Sequence, residues 1–401
     1  MARRRKEERR AGIASRGIVR RLGRCATGLS LIAIGCLSGA TPRGQPWTSA
    51  VTLPHRRNGL NARRMAVWST LREPSLGRHV HHELMRSALL DLPLIIPATA
   101  CHQRNYVERY SRSMALYRLV CAFGQQSLVK VLTRCRLPLP TYFLADEKHS
   151  RCLTEKVYLP TIISGRVIWH LGYTEHASAA ALTESYGTFQ RAASQQEPSY
   201  RVRGILTDGF DSTTKSMRTL FPGARLGNCL RHAINKLPKQ LAAIALPVRK
   251  ALRSQFHTLL HHARQRKGLR VFALGQRLRH FAGHVTRTAG AVNGERVRRW
   301  FQDKKAGWYA VLEDPRMPAT STLLDQAHNA IERKLFMMKG FHHPRGSQQA
   351  FLTGLAHLYN LVPYQRRAKH AGQCGVEVEG GTVPTRDWFL NLQILTSGGF
   401  R

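Results

Sequence analysis

Acidic residues are scarce in this chain. Its 401 residues hold 23 Asp and Glu against 63 Lys and Arg, a formal charge of +40. A fold does not require that imbalance, and the field it creates draws in polyanions. Phosphate backbones are the fitting target, with binding that weakens steeply as salt rises. The plainer reading is an arginine-rich composition inherited from a GC-rich genome. Paired cysteines are missing too. The eight cysteines, Cys25, Cys36, Cys101, Cys121, Cys135, Cys152, Cys229 and Cys374, form no Cys-x-x-Cys pair. That argues against a zinc ribbon and a disulfide scaffold and favours reduced thiols in a cytoplasmic protein. No phosphate-cradling Gly-x-x-x-x-Gly-Lys-Ser/Thr and no Gly-x-Gly-x-x-Gly is present, which removes the usual ATPase and dinucleotide enzymes. No Gly-x-Ser-x-Gly elbow supports a serine hydrolase. No repeat recurs at a fixed period.

Long apolar runs are also absent. Residues 28–40 follow Arg20, Arg21 and Arg24 and mimic a secretion signal, but they are too short to span a bilayer. A basic extension or a mis-started N-terminus competes with a true signal there, and no membrane partner is expected.

What is present falls into segments. Residues 1–78 are Arg-rich, punctuated by Gly and Pro, and read as a disordered basic extension. Residues 79–136 look helical and form a candidate DNA-binding unit or a plain helical support. In 137–230, apolar runs at 141–145, 157–163 and 167–171, separated by short turns, read as an antiparallel meander. A helix over 175–193, a strand at 202–207, a helix at 212–220 and a short strand at 225–228 follow. This order is that of an α/β fold with an RNase H-like core, a mixed sheet that begins with three antiparallel strands. Residues 231–318 show leucines at helical spacing, as in Leu252, Phe256, Leu259 and Leu260, and read as an all-helical insertion. The span 231–312 carries 18 Lys and Arg but only two acids. Residues 319–365 complete the core with a helix from about 323 to 338, and 366–401 read as a C-terminal tail.

Three of the few acids stand in patterned surroundings: Asp146 in Tyr-Phe-Leu-Ala-Asp-Glu, Asp208 in Gly-Ile-Leu-Thr-Asp-Gly, and Asp325 in Leu-Leu-Asp-Gln-Ala-His-Asn. The first two close apolar runs; the third opens a helix. Converging carboxylates hold a pair of divalent ions that activate an attacking oxygen and stabilise a leaving one. Oxygen ligands plus substrate phosphate suit Mg²⁺, with Mn²⁺ as a substitute. Spacing alone is weak support, because a single Asp at a strand end is usually a turn or cap residue.

Further residues sharpen the pattern. Asp208-Gly209 is followed by Phe221-Pro222-Gly223-Ala224 and by Cys229-x-x-His232. Ser321-Thr322-Leu323-Leu324-Asp325 precedes Asn329, Ile331 and Gly340-Phe341. Over about residues 140–365 the chain resembles DDE-type insertion-sequence transposases, particularly the Mutator-like groups with a helical insertion in the RNase H-like core. The resemblance implies Mg²⁺-dependent strand cleavage and strand transfer at transposon ends. It makes Asp146, Asp208 and Asp325 catalytic metal ligands for two ions. It implies double-stranded DNA at element ends and targets as partners, a homodimer or higher assembly, and a place at the bacterial nucleoid. Two departures stand out: Thr322 replaces the family's usual Asn, and Asp325 its usual Glu. Glu332, seven residues on along the same helix face, is the alternative third acid. A catalytically dead, domesticated DNA-binding protein, or an RNase H-like nuclease without strand transfer, is the rival function.

Cys229 and His232 supply only two of the four ligands that structural zinc needs, so a packing or orienting role beside the site competes with zinc. His328 and Asn329, one turn past Asp325, and Arg333 and Lys334 beyond them are candidate DNA contacts. Arg298, Arg299 and Trp300, aromatics among arginines, suit stacking on unpaired bases. A helical core is the competing use of Trp300 and Trp308.

Overall fold

The structure is a computed structural model that describes residues 116–152, 155–265, 271–337, 341, 346–365 and 368–397. The basic extension, the signal-like run and most of the 79–136 region therefore lie outside the described residues. The described part is a mixed α/β fold. Five strands, β1 (Tyr142–Cys152), β2 (Glu155–Ser164), β3 (Val167–Leu171), β4 (Gly204–Thr207) and β5 (Arg225–Asn228), form one sheet in the order β3-β2-β1-β4-β5. β1 pairs antiparallel with β2, and β2 with β3. β4 pairs parallel with both β1 and β5.

The apolar runs explain the centre of this sheet. Every residue of β3 and β4 is buried, as expected of strands covered on both faces. Side chains alternate along a strand, and β1 uses that alternation to face two sets of helices. Phe143 packs edge-on to Phe189 of α2 (Ala179–Gln196) and to Phe221, at centroid distances of 5.7 and 5.6 Å. Phe221 follows α3 (Asp211–Leu220). On the other face, His328 of α8 (Thr322–Met337) bonds Thr161 at 2.9 Å, and Thr161 lies opposite Asp146 in register.

β1 is longer than its apolar run predicts. The polar stretch from Asp146 to Cys152 continues as an antiparallel ribbon with β2, so Asp146 sits within a strand rather than at its end. Backbone pairing, which is indifferent to side-chain polarity, holds this stretch extended. β4 accompanies β1 only as far as Leu144.

Both edges of the sheet are covered, which removes free strands that invite aggregation. Asn360 of α9 (Gln348–Leu361) mimics a neighbouring strand: its amide accepts from the Ile168 amide and donates to the Ile168 carbonyl, both at 2.8 Å. Gln349 does the same for Tyr173 and Leu171. At the β5 edge the chain runs through α4 (Leu230–Gln240), α5 (Leu246–Gln265), α6 (Val271–Ala289) and α7 (Ala291–Glu313), with no strand among the described residues of that stretch. These helices have their own aromatic core, in which Phe256 stacks on Phe301 and meets Trp308. The segment expected as a tail instead carries α10 (Gly375–Val378) and α11 (Trp388–Thr396), and buries Trp388, Phe389, Leu392 and Leu395. α11 packs against α9 and against α1 (Leu128–Arg134). No helix among the described residues is long and apolar enough to cross a membrane.

Three histidines are buried in this framework. Burial lowers His170 to about 4. Burial, with Lys148 nearby, lowers His328 to about 3. Burial, partly offset by a hydrogen bond to the Gln126 carbonyl, lowers His357 to about 4. Each folded-state value lies below that of a free histidine, so the unfolded chain binds more protons between about pH 6.5 and 4. Their contribution is present above that window and is lost as pH falls through it, by roughly 1.4 kcal/mol per pH unit for each fully linked group. Urea unfolding at pH 7 and pH 5 should therefore show a smaller loss of stability on acidification for His357→Gln than for the unmodified chain. An equal loss in both would show that His357 is not buried neutral.

Candidate active site

Parallel pairing of β1 and β4 builds the site. The two strands are in register at Leu144 and Leu206, so Asp146 and Asp208, two residues further along each, emerge beside one another. Asp208 is the first residue after β4. Gly209, at φ +83°, lets the chain turn there. The Asp208 carboxylate accepts the Phe210 amide at 2.6 Å, which makes it a turn-forming residue as well. Its other oxygen and its carbonyl both accept from the Lys236 ammonium, at 2.9 and 2.8 Å. The Asp208 side chain retains 19% exposure, so it remains open to a ligand.

Asp146 is more enclosed. Burial first, then the charges of Asp208 and Glu147, hold its carboxyl well above the usual carboxylate range. The Glu147 amide, donating at 2.9 Å, and the charge of His232 oppose this. The Tyr186 hydroxyl donates to the Asp146 carbonyl at 3.0 Å and fixes the strand. Glu147 projects from the opposite face of β1, where Thr213 of α3 donates to it. Burial and the Asp208 charge raise Glu147 to about 7, with the Thr213 hydrogen bond and Lys236 pulling it down. Asp208 thus influences both neighbours across the strand end. Raised carboxylates grouped in one place mark functional-site candidates.

Cations reach the site from the helical segment. Lys236 lies on α4, and Lys304 on α7 donates to the Gly209 carbonyl and Asp211, both at 3.2 Å. His232 is the third residue of α4. Its hydrogen bond with Cys229 raises it, burial opposes this, and the Cys229, Asp208 and Asp146 charges raise it further. Burial would push the Cys229 thiol up, but its hydrogen bonds with His232 and Ser321 bring it below the ordinary thiol range.

These same residues attach α8. Ser321 donates its amide to the Cys229 sulfur at 3.3 Å, and its hydroxyl meets His232 Nδ1 at 3.3 Å. Seven residues on, His328 bonds Thr161 beside Asp146. Asp325 lies between these two anchors, and its amide donates to the Ser321 carbonyl. Among the described residues no group of three His, Cys, Asp or Glu side chains stands arranged to hold a metal ion. The structure therefore brings Asp146 and Asp208 together and leaves Asp325 adjacent. Glu332, further along the same helix stripe, is 46% exposed and paired with Lys148 at 2.9 Å.

Two carboxylates and substrate phosphate are an ordinary Mg²⁺ set, since this ion keeps several waters and seldom has an all-protein cage. Asp146 and Asp208 fit that pattern. Cys229 and His232 bond Ser321 and each other, with no further His, Cys, Asp or Glu positioned to complete a zinc set among the described residues.

The sequence-derived DNA contacts divide. Asn329 and Arg333 are exposed on α8. His328 is buried and engaged with the sheet, so it braces α8 rather than reaching a phosphate. Burial lowers Lys334 to about 8. Trp300 meets Phe256, Phe301 and Trp308 in the helical core, which leaves little ring surface for a base. Arg298 and Arg299 both pair with Glu295 one turn away. Lys236, Lys304 and Glu147 escaped the sequence reading; only the doublet Asp146-Glu147 hinted at the last.

Glu147 should titrate near neutrality by carboxyl carbon NMR. Lys236→Met should move that transition upward, because the ammonium favours the charged carboxylate. An unchanged midpoint would remove Lys236 from the site. No family model and no curated protein sequence matches this chain.

Proposed function

We propose that the chain is a Mg²⁺-dependent polynucleotidyl transferase of the transposase kind, with an RNase H-like core and the helices α4–α7 as an insertion. The observation that carries this reading is the shared field of Asp146 and Asp208 where two parallel strands part, inside a chain of charge +40. The strand order β3-β2-β1-β4-β5, with the first three antiparallel, is what such a core requires. The resemblance of the Asp208-Gly209, Cys229-x-x-His232 and Ser321-to-Asp325 motifs supports it.

Asp146 and Asp208 would hold Mg²⁺, which supplies activation of the attacking oxygen and charge stabilisation at the leaving oxygen of an in-line displacement. The protein's own part is positioning and electrostatics, as phosphoryl transfer demands. Lys236 keeps Asp208 directed at the site. The hydrogen bond to Cys229 and the charges of both acids favour the protonated form of His232. Asp325 approaches on the helix stripe that faces β1, the same face from which Asp146 projects, and serves as the third acid. The Glu332 pair with Lys148 gives that carboxylate a different role. Exposed arginines would grip phosphates and set the duplex without reading its sequence. Double-stranded DNA ends and targets, held by two or more copies of the chain, are the implied partners.

A second reading is favoured by one observation: Thr322 and Asp325 stand where the family that the chain resembles usually has Asn and Glu. A site left with two acids could bind DNA and fail to cut it. One experiment separates the readings. The full chain is incubated with Mg²⁺, a supercoiled plasmid and a duplex bearing the sequences that flank its gene. Nicking and joined products are expected, with Asp146→Asn and Asp208→Asn each reducing nicking by at least about 100-fold, the scale seen when a single charge-stabilising group is removed. DNA affinity should persist in both. Asp325→Asn should match them, and Glu332→Gln should retain activity. Binding without nicking by the unmodified chain would support the second reading, and nicking without joined product would indicate a nuclease.

A further inference from the structure

The acids sit where β1 and β4 part company, just past the C-terminal end of their parallel pairing. The opposite end of the same strands carries a different chemistry. A groove of about 660 Å³ opens there, lined by Tyr142, Arg201, Arg203, Arg225, Asp314 and Arg316, with Glu313 at its margin. Four arginines stand against two carboxylates. Backbone geometry places them deliberately. Val202 is buried while Arg201 and Arg203 are exposed, so alternation in the extended segment before β4 sends both guanidinium groups to the same solvent side. The Arg203 amide is tied to the Thr141 carbonyl at 2.8 Å, and its carbonyl accepts from the Arg225 amide at 2.9 Å. Arg225 lies opposite Gly204, the residue after Arg203, so the two arginines stand at the starts of adjoining strands.

The charge is not cancelled locally. Arg225 approaches Glu313 only at 3.7 Å, with both side chains about half exposed. Arg316 approaches Asp314 at 3.6 Å. The exposed Arg225 pair holds little energy and would yield to a phosphate, whereas Asp314 is only 12% exposed and keeps its bonds to Tyr142 and Arg316. Arg201 and Arg203 have no carboxylate partner among the described salt bridges. The groove also lacks what unpaired bases need. Its one aromatic ring, Tyr142, has the Arg316 guanidinium over it, 5.4 Å from the centroid, and its hydroxyl donates to Asp314 at 2.7 Å. No open ring remains for stacking.

We infer that this groove binds the phosphate backbone of double-stranded DNA, at a place separate from the acids. Five residue steps of extended chain lead from Arg203 to Asp208, or about 16 Å. The groove thus grips the duplex beyond the reacting phosphate and has no part in the chemistry. The inference rests on the reading of the chain as a DNA-acting protein, but not on its ability to cut.

The test compares the full chain with an Arg201→Gln, Arg203→Gln double variant. A second double variant, Lys369→Gln with Arg386→Gln, removes two exposed charges outside the groove. Binding to a 30-base-pair DNA duplex, to its single strand and to an RNA duplex of the same sequence is measured from 50 to 200 mM salt. Loss of two phosphate contacts should flatten the logarithmic salt slope by about 1.8, so the fall in duplex affinity over that range becomes about 12-fold smaller. Arg201→Lys with Arg203→Lys should restore most of the slope, and the Lys369, Arg386 variant should keep it. An unchanged slope in the groove variant, an equal change in the control, or tighter binding of the RNA duplex or single strand would overturn the inference. Plasmid nicking is read in parallel. A chain that never nicks but loses slope only in the groove variant would uphold the groove and refute the cutting activity.

Discussion

The pairing of β1 with β4 is the constraint on which the rest depends. Parallel register at Leu144 and Leu206 brings Asp146 and Asp208 out together, and burial makes their proximity costly. Burial first, and then two like charges at one spot, disfavour ionisation and hold the Asp146 carboxyl above the usual carboxylate range. The fold offsets that cost with Lys236 and His232 from α4, the helix that directly follows β5. Without the β1–β4 ladder these groups would be scattered polar residues on three separate segments.

The same ladder divides the molecule's electrostatics into two ends. Acids collect where the parallel pairing of β1 and β4 ends and arginines where it begins. In a chain with so few carboxylates, this separation keeps the acids from being neutralised by the basic surface, apart from chosen partners such as Lys236 and Lys304. Both ends remain accessible because the sheet's lateral edges, rather than its strand ends, are covered by α9 and by α7.

One helix links the two halves of the site. α8 is held at its start by Ser321, through Cys229 and His232, and at its middle by His328, through Thr161. Those two anchors determine which side chains of α8 face β1. Asp325 falls between them, whereas Glu332 lies far enough along to meet Lys148 instead. The Cys-x-x-His pair is therefore a fastening between α4 and α8, made of sulfur, imidazole and hydroxyl.

Much of this was legible in the chain itself, because it depends on local chemistry. Apolar runs marked β3 and β4, turn residues marked their ends, and leucine spacing marked the helices between Leu230 and Glu313. The doublets Asp146-Glu147 and Asp208-Gly209 stood out because each closes an apolar run. Tertiary structure alone decided what depends on partners distant in sequence. β2 kept the polar stretch after Ala145 extended. Neighbouring helices drew Trp308 and Trp300 into a core and buried His328 beneath α8. α1 and α9 gave Trp388 and Phe389 a surface to pack on where composition suggested a tail. Periodicity reports whether a residue has an apolar side to hide, but burial is a property of the neighbour that hides it, and the neighbour is chosen only when the chain folds.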